Sequence, residues 1–130
     1  MSTGGRLGTM EPDPVWDPEA YADSVATLRE HDDVVYRVWG GDWCTDCRRQ
    51  LPAFGAALEA AGVPEDRVHQ YPVERGEDGA KTGPEVEAYG IESIPTVIAE
   101  RDGTEVTRFV ENASVPIAVF LARRLAGLED

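Results

Sequence analysis

The sequence predicts a single α/β domain in which a mixed central sheet of four or five strands carries helices on both faces. The chain has 130 residues. Since one domain usually takes about 100–200 residues, it has room for one compact core. Hydrophobic periodicity gives the order helix, strand, helix, strand, helix, hairpin and helix. Strands joined through a helix are parallel and a hairpin is antiparallel, so we expect a mixed sheet.

The N-terminal residues have the composition of a tail. Gly4, Gly5 and Gly8 all fall within the first nine residues, and glycine-rich segments behave as flexible chain. We therefore expect residues 1–14 to form a flexible tail and residues 15–130 to form the domain.

The first helix has a clear start signal at Asp17-Pro18-Glu19. This triplet combines an acceptor side chain for the N-cap, a proline suited to the first turn and an acid favoured by the helix dipole. The helix is expected to end near His31. The β-branched and aromatic run VVYRVW at residues 34–39 then predicts a strand, which Gly40 and Gly41 terminate.

The second helix is predicted to begin at the two cysteines and to end near Gly62, with Pro52 interrupting it. The next strand candidate covers residues 67–74. Pro72 cannot donate a hydrogen bond to a neighbouring strand, so this strand is expected at an edge of the sheet or to end there.

The C-terminal half begins with a charged, glycine-rich stretch at residues 75–83, which predicts a loop. A short helix is expected over residues 84–89, ended by Gly90. Asp102-Gly103 lies between two strand-like runs and predicts a β-hairpin. Ser114 is predicted to cap the last helix. The apolar face of that helix is formed by Ile117, Leu121, Leu125 and Leu128.

The charge of the chain excludes some partners. It has 25 acidic and 12 basic residues, giving a formal charge of −13, which disfavours binding to nucleic acid or to anionic membranes. Lys81 is the single lysine. This acidic, arginine-biased composition is similar to that of proteins from extreme halophiles, and an ordinary acidic protein is the alternative.

The expected location is the cytoplasm. Residues 1–16 lack the apolar core of a signal peptide, and no stretch approaches the ~18 apolar residues of a membrane span. Disulfides do not persist in the cytoplasm, so a redox protein there is expected to act mainly as a reductant.

Cys44 and Cys47 form a CxxC pair at the predicted start of the second helix. Unpaired N–H groups and the positive end of the helix dipole favour a thiolate there, and a thiolate is the nucleophile of disulfide exchange. Cys47 lies one turn further on and can attack a mixed disulfide held by Cys44. A structural disulfide closing so short a loop would stabilise little. A metal site would need further ligands, for which His31 and His69 are the histidines available.

The motif WCTDC at residues 43–47 resembles the WCxxC centre of thioredoxins. Pro52 stands where thioredoxins carry the proline that kinks the active-site helix. The segment YGIESIPT at residues 89–96 is similar to their YGI..IPT segment. The resemblance covers roughly residues 17–127 and implies a thioredoxin-like fold.

The resemblance also implies roles for further residues. Pro95 would be the cis-proline facing the cysteines, and the backbone of Ile94 would pair with an extended substrate peptide by strand addition. Trp43 would supply an apolar wall beside Cys44.

The sequence departs from the family pattern at several positions. Thr45 and Asp46 replace the Gly-Pro common in thioredoxins, and an Asp there is similar to the WCPDC centre of thioredoxin-related proteins. The buried acid of many thioredoxins falls at Val38. Near Glu111 the family usually has a glycine, so a charged side chain there is expected to restrict partners.

Asp46 therefore has three possible roles. It takes over proton handling for Cys47, or its charge raises the thiol pKa and makes the dithiol more reducing, or it merely favours the first helical turn.

The predicted activity is reduction of protein or small-molecule disulfides, with Cys44 as nucleophile, Cys47 as resolving thiol and no cofactor. A thioredoxin reductase or a low-molecular-weight thiol would restore the dithiol. The alternatives are a glutaredoxin-like enzyme that uses a small thiol, a non-enzymatic binding module and a cluster carrier shared between two chains.

Overall fold

The computed structural model describes residues 7–75, 81–83, 85–111 and 114–127. Three α-helices lie in these ranges: α1 (Ala22–Glu30), α2 (Thr45–Ala60) and α3 (Ile117–Gly127). The strands are β1 (Val34–Gly40), β2 (Val68–Pro72), β3 (Glu74–Arg75), β4 (Lys81–Thr82), β5 (Thr96–Arg101) and β6 (Thr104–Val110). Three short 3-10 helices cover Gly8–Met10, Pro18–Tyr21 and Glu65–Arg67.

The central sheet has four strands in the order β2-β1-β5-β6. Strands β1 and β2 are parallel, whereas β5 is antiparallel to both β1 and β6. The α/β class with a mixed four-stranded sheet is therefore confirmed. Strand β2 lies at the edge, as Pro72 predicted, and Asp102 and Gly103 form the β5–β6 turn with φ angles of 54° and 78°.

Aromatic side chains hold the layers together on both sides of the sheet. The ring of Tyr36 on β1 meets Phe54 of α2 edge to face at 6.0 Å between centroids, and Phe109 of β6 meets Phe120 of α3 at 5.4 Å. On the opposite face, Trp39 contacts Tyr89 at 5.0 Å. These contacts fix α2 against β1, and α3 against β6.

The short helix predicted over residues 84–89 is not formed. Residues 85–90 form turns, in which Glu85 and Gly90 have left-handed φ angles of 62° and 64°. A segment bounded by two left-handed residues is too short to propagate an α-helix. Pro84 lies outside the described residues. Tyr89 in these turns packs against Trp39 of β1.

Helix α3 begins at Ile117 rather than at the predicted cap, Ser114. Pro116 disfavours the α conformation at Val115, so the helix cannot extend back to Ser114. Of the predicted apolar face, Ile117, Leu121 and Leu125 are buried, while Leu128 lies outside the described residues. In the predicted loop at 75–83, Arg75 and Lys81 pair within the β3–β4 ladder, and residues 76–80 lie outside the described part.

The chain from Leu7 to Asp13, here called the N-terminal strap, packs against the domain. Leu7 and Met10 are 3% and 7% exposed, and the strap crosses α2, where the amide of Asp13 donates to the carbonyl of Pro52 at 3.1 Å. The sequence placed these residues in a flexible tail because of the glycines. In the strap itself, the side chains of Leu7 and Met10 are buried, which outweighs the entropic cost of ordering Gly8.

No helix within the described ranges is both long enough and apolar enough to cross a bilayer.

Candidate active site

Cys44 occupies the N-cap of α2, directly after the loop that leaves β1. Its sulfur accepts a hydrogen bond from the backbone amide of Cys47 at 3.3 Å. An N-cap normally uses a side-chain oxygen for this bond, because the first amides of a helix have no carbonyl partner within it. The half-buried Cys44 sulfur thus takes the position in which a negative charge is best stabilised.

Cys47 lies one turn into α2 and is fully buried. The amide of Gly41 donates to its sulfur at 3.5 Å. Burial raises the pKa of the Cys47 thiol to about 12, assisted by its hydrogen bond to Cys44 and by the negative potential of Cys44 and Asp46; the Gly41 amide opposes this rise. At neutral pH Cys47 is therefore a protonated thiol beside an acceptor sulfur.

The structure brings Ile94 and Pro95 to the same place. The Cys44 thiol points to the carbonyl oxygen of Ile94 at 3.9 Å, and the Ile94–Pro95 peptide bond is cis. This corner is supported from both sides. The Thr96 hydroxyl donates to the carbonyl of Ser93 at 2.6 Å, and the amide of Glu111 donates to the carbonyl of Pro95 at 2.7 Å.

The indole ring of Trp43, the residue before Cys44, is held by contacts with Val73 and Arg75. Its indole nitrogen donates to the carbonyl of Val73 at 2.8 Å, and the side chain is 39% exposed. A β-carbon at position 41 would stand 2.6 Å from the indole nitrogen, so Gly41 is needed for the ring to lie against the backbone. The guanidinium of Arg75 lies 4.7 Å from the ring centroid, a cation–π distance.

Comparison with known proteins rests on structure alone. No protein-family model and no curated protein matches the sequence. Mitochondrial thioredoxin 3 from Saccharomyces cerevisiae, in its oxidised form, superposes with a TM-score of 0.52 and 17% identity over 77% of this chain and 83% of its own. A mutant thioredoxin from Halobacterium salinarum superposes with a TM-score of 0.51 and 22% identity over 97% of both chains. The thioredoxin of Fasciola hepatica superposes with a TM-score of 0.51 and 20% identity over 84% of this chain and 92% of its own.

The chain has the thioredoxin fold. Its cysteine pair lies at the N-terminus of α2, after the loop that leaves β1, and the cis Ile94–Pro95 bond precedes β5. The geometry thus brings together two segments of the thioredoxin-like sequence pattern that are distant along the chain, the cysteine motif and the segment that contains Pro95.

The two central residues of the motif differ in their surroundings. Thr45 is exposed at the first position of α2. Asp46 forms an ion pair with Arg49, with Asp46 Oδ1 at 2.8 Å from Arg49 Nη2. Its charge contributes to the raised pKa of Cys47, but it is the last of the causes in size. The pairing with Arg49 offsets part of that charge.

Val38 is fully buried, as expected of the β1 position where many thioredoxins carry an acid. The structure has a buried acid elsewhere in the fold. Glu100 is 6% exposed and accepts from Arg37 Nε at 2.7 Å. It lies on β5, four residues beyond Thr96, so it belongs to a sheet-face ion pair rather than to the cysteine corner.

Sequence reasoning missed the residues that support the site from behind. Asp42 and Leu7 join the N-terminal strap to the cysteine loop, and Gln50 donates to the carbonyl of Glu111 at 2.8 Å. The adjacent glycines Gly40 and Gly41 were the available signal, since two glycines before a motif often mark close packing.

The histidines considered as metal ligands do not join the cysteines. His31 Nδ1 lies 2.6 Å from Arg101 Nη2, and His69 lies on β2 opposite Arg37. Among the described residues, no group of three or more His, Cys, Asp and Glu side chains is arranged to hold a metal ion.

Proposed function

We propose that this protein is a thiol–disulfide oxidoreductase that reduces disulfides of proteins or small molecules. The observation that carries the proposal is the asymmetry of the pair: the half-buried Cys44 sulfur accepts the N-terminal amide of Cys47, whereas Cys47 is fully buried behind it. One sulfur can meet a substrate, and the other can meet only the first sulfur.

The reaction proceeds in two exchanges that balance. The Cys44 thiolate attacks one sulfur of the substrate disulfide, forming a mixed disulfide and releasing the other substrate sulfur as a thiolate that takes up a proton. Cys47 then loses its proton and attacks the Cys44 sulfur. This step breaks the mixed disulfide, releases the second substrate thiol and leaves a Cys44–Cys47 disulfide. Two electrons pass from the protein to the substrate.

Because its pKa is high, the Cys47 thiol carries a proton that it must lose before the second exchange. In the first exchange Cys47 donates hydrogen bonds to Cys44, which stabilises the attacking thiolate. Once Cys44 carries the substrate, its sulfur is neutral, so the contribution of its negative charge to the raised pKa of Cys47 is removed. Asp46 is proposed as a supporting residue that adjusts this potential, and Thr45 as its exposed neighbour.

Substrate binding falls to the surface around Cys44. The backbone of Ile94, whose carbonyl lies beside Cys44, is suited to pair with an extended peptide, and Pro95 and Trp43 flank it. A charged Glu111 next to this corner is proposed to restrict which partners approach.

The oxidised pair must be reduced again by an external donor. We propose a thioredoxin reductase or a low-molecular-weight thiol in the cytoplasm. Turnover with glutathione and no reductase would instead assign the protein to glutaredoxin-like chemistry. A tight partner in pull-down experiments together with an inert cysteine pair would assign it to a binding role.

The direct test measures reduction of insulin and of DTNB by the wild-type protein, Cys44→Ser, Cys47→Ser and the control Asp23→Asn, an exposed residue of α1. Loss of turnover in both serine variants and full activity in the control is the expected result. Full turnover in both serine variants would contradict the mechanism. Cys47→Ser should also accumulate a mixed disulfide with its substrate, so mass spectrometry of trapped complexes would identify partners.

A further inference from the structure

The N-terminal strap is tied to the cysteine loop by the side chain of Asp42. Asp42 Oδ2 accepts the amide of Gly8 at 3.2 Å, and Oδ1 accepts the amide of Thr9 at 3.0 Å. A third bond runs from the amide of Leu7 to Gln70 Oε1 on β2 at 2.7 Å. Three consecutive amides of the strap are thus held by two side chains, and Asp42 lies two residues before Cys44.

The strap then runs along one face of α2. Cys47, Leu51 and Gly55 are spaced four residues apart, so they lie on one side of the helix. The carbonyl of Met10 lies against Gly55, where an added β-carbon would be 2.3 Å from its oxygen. One turn away, Asp13 donates to Pro52. The strap therefore covers the helix face that carries Cys47.

Leu7 of the strap and the resolving sulfur of Cys47 both lie beside Gly40. A β-carbon built on Gly40 would lie 2.9 Å from Leu51 Cδ1, 3.3 Å from Leu7 Cδ1 and 3.5 Å from Cys47 Sγ. These three side chains therefore converge on the space that Gly40 leaves open. All three are buried, with Leu7 at 3% exposure and Leu51 and Cys47 at 0%.

We propose that Asp42 is a positioning residue for the resolving thiol: by clamping the strap, it holds Leu7 over Cys47 and keeps water and external thiol reagents away from that sulfur. The shielding follows from the packing alone, whereas its use, confining exchange with substrates to Cys44, rests on the proposed function. In wild-type protein, Cys47 then reacts with the Cys44 sulfur and not with solutes.

Opening the strap has a defined chemical consequence. Water that reaches Cys47 solvates its thiolate, so the pKa of this thiol falls towards the ordinary value of a cysteine. Well below the pKa, the rate of alkylation follows the thiolate fraction and rises about tenfold for each unit by which the pKa falls. Better access of the reagent adds to the same increase.

The test uses Cys44→Ser protein, in which Cys47 is the single thiol, and follows its alkylation by iodoacetamide between pH 7 and 10. Alkylation forms a sulfur–carbon bond and releases iodide, so mass spectrometry counts it directly. Adding Asp42→Ala or Leu7→Ala should speed alkylation by about tenfold or more and shift its pH profile to lower pH. Gly55→Ala should do the same, since it displaces Met10 without altering Asp42 or Leu7.

Matched controls separate the strap from general destabilisation. Asp17→Ala removes a carboxylate that also accepts a backbone amide, that of Glu19 at 3.0 Å, and Leu28→Ala removes a fully buried leucine of α1. Both should leave the pH profile of Cys47 alkylation unchanged. Circular dichroism and urea titration establish that each variant is folded under the assay conditions.

Two outcomes would overturn the proposal: unchanged alkylation in Asp42→Ala, Leu7→Ala and Gly55→Ala, or equal acceleration in the Asp17 and Leu28 controls. Should one strap variant fail to fold, the remaining two carry the same test. Because alkylation needs no substrate, failure of disulfide reduction in the wild-type protein would defeat the proposed function and leave the shielding in place.

Discussion

The carbonyl oxygen of Met10 stands against the α-carbon of Gly55, in space that any other side chain would fill. A β-carbon at position 55 would approach this oxygen to 2.3 Å, far inside van der Waals contact. Gly55 is an interior residue of α2, where glycine is normally unfavourable. Glycine at position 55 therefore allows the strap to pack closely on α2.

Gly55→Ala is expected to destabilise the protein by about 1–2 kcal/mol, because overpacking against backbone outweighs the ~1 kcal/mol gain in helix propensity. Urea denaturation measures the change. Gly127→Ala is the control, since a β-carbon there meets nothing within 4 Å; it should be neutral or slightly stabilising. A stabilised Gly55→Ala variant would show that the strap is not held where the structure has it.

Tyr36→Phe should leave the stability near neutral pH almost unchanged. It should also reduce the loss of stability that the wild-type protein shows at alkaline pH. The Tyr36 hydroxyl is buried with no hydrogen-bond partner among the described residues, and burial raises its pKa to about 12. Since the folded-state pKa exceeds the ordinary value of about 10, the neutral hydroxyl's contribution is complete below pH 10 and is lost as pH rises through 12.

Urea denaturation at pH 7 and at pH 10–11 compares Tyr36→Phe with the wild-type protein. Tyr71→Phe is the matched variant, because the Tyr71 hydroxyl accepts from Arg37 Nη1 at 2.5 Å and its loss should cost about 1 kcal/mol at pH 7. Equal losses of stability in Tyr36→Phe and Tyr71→Phe at pH 7 would contradict the expectation that the Tyr71 hydroxyl stabilises the fold through a hydrogen bond and the Tyr36 hydroxyl does not.

Glu111→Gly should be more stable than Glu111→Ala by about 1 kcal/mol. Glu111 has a left-handed φ of 61°, which is unfavourable for a residue with a β-carbon and open to glycine. Its backbone is held there by bonds to Pro95 and Gln50. The order would be reversed at Val110, an extended strand residue, so Val110→Gly should be less stable than Val110→Ala.

Asp46→Asn should raise the reduction potential of the dithiol by roughly 10 mV, making it less reducing. Removing a negative charge near the pair favours the reduced form when that form carries a thiolate, because the disulfide carries no charge. The shift is small because Asp46 and Arg49 are both partly exposed and paired. Arg49→Gln should move the potential the opposite way. Equilibration with a glutathione redox buffer measures both potentials. An unchanged potential in Asp46→Asn would show that Asp46 does not affect the reduction potential of the dithiol.

Added KCl should raise the melting temperature between low and molar salt. The net charge of −13 causes self-repulsion that salt screens. A melting temperature independent of KCl would argue against adaptation of this acidic surface to high salt.

The sequence allowed much of the fold to be predicted, because its signals are local. Asp17-Pro18 at the first helix, the β-branched run at 34–39 and Asp102-Gly103 at the hairpin each report the conformation of their own neighbours. Local signals misled where the backbone conformation of one nearby residue overrode them. Pro116 delays α3 past Ser114, and the left-handed Glu85 prevents a helix over residues 84–89.

The sequence by itself determined that the chain has one α/β domain, a CxxC pair at the start of a helix and a thioredoxin-like pattern of motifs. Only the tertiary structure decided which cysteine is the more accessible, that the Ile94 carbonyl faces Cys44, and that Leu7 of the strap and Cys47 both lie beside Gly40. Burial and close approach depend on residues far apart in the chain. Leu7, Gly40 and Cys47 share no local pattern, and their convergence exists only once β1, α2 and the strap have packed together.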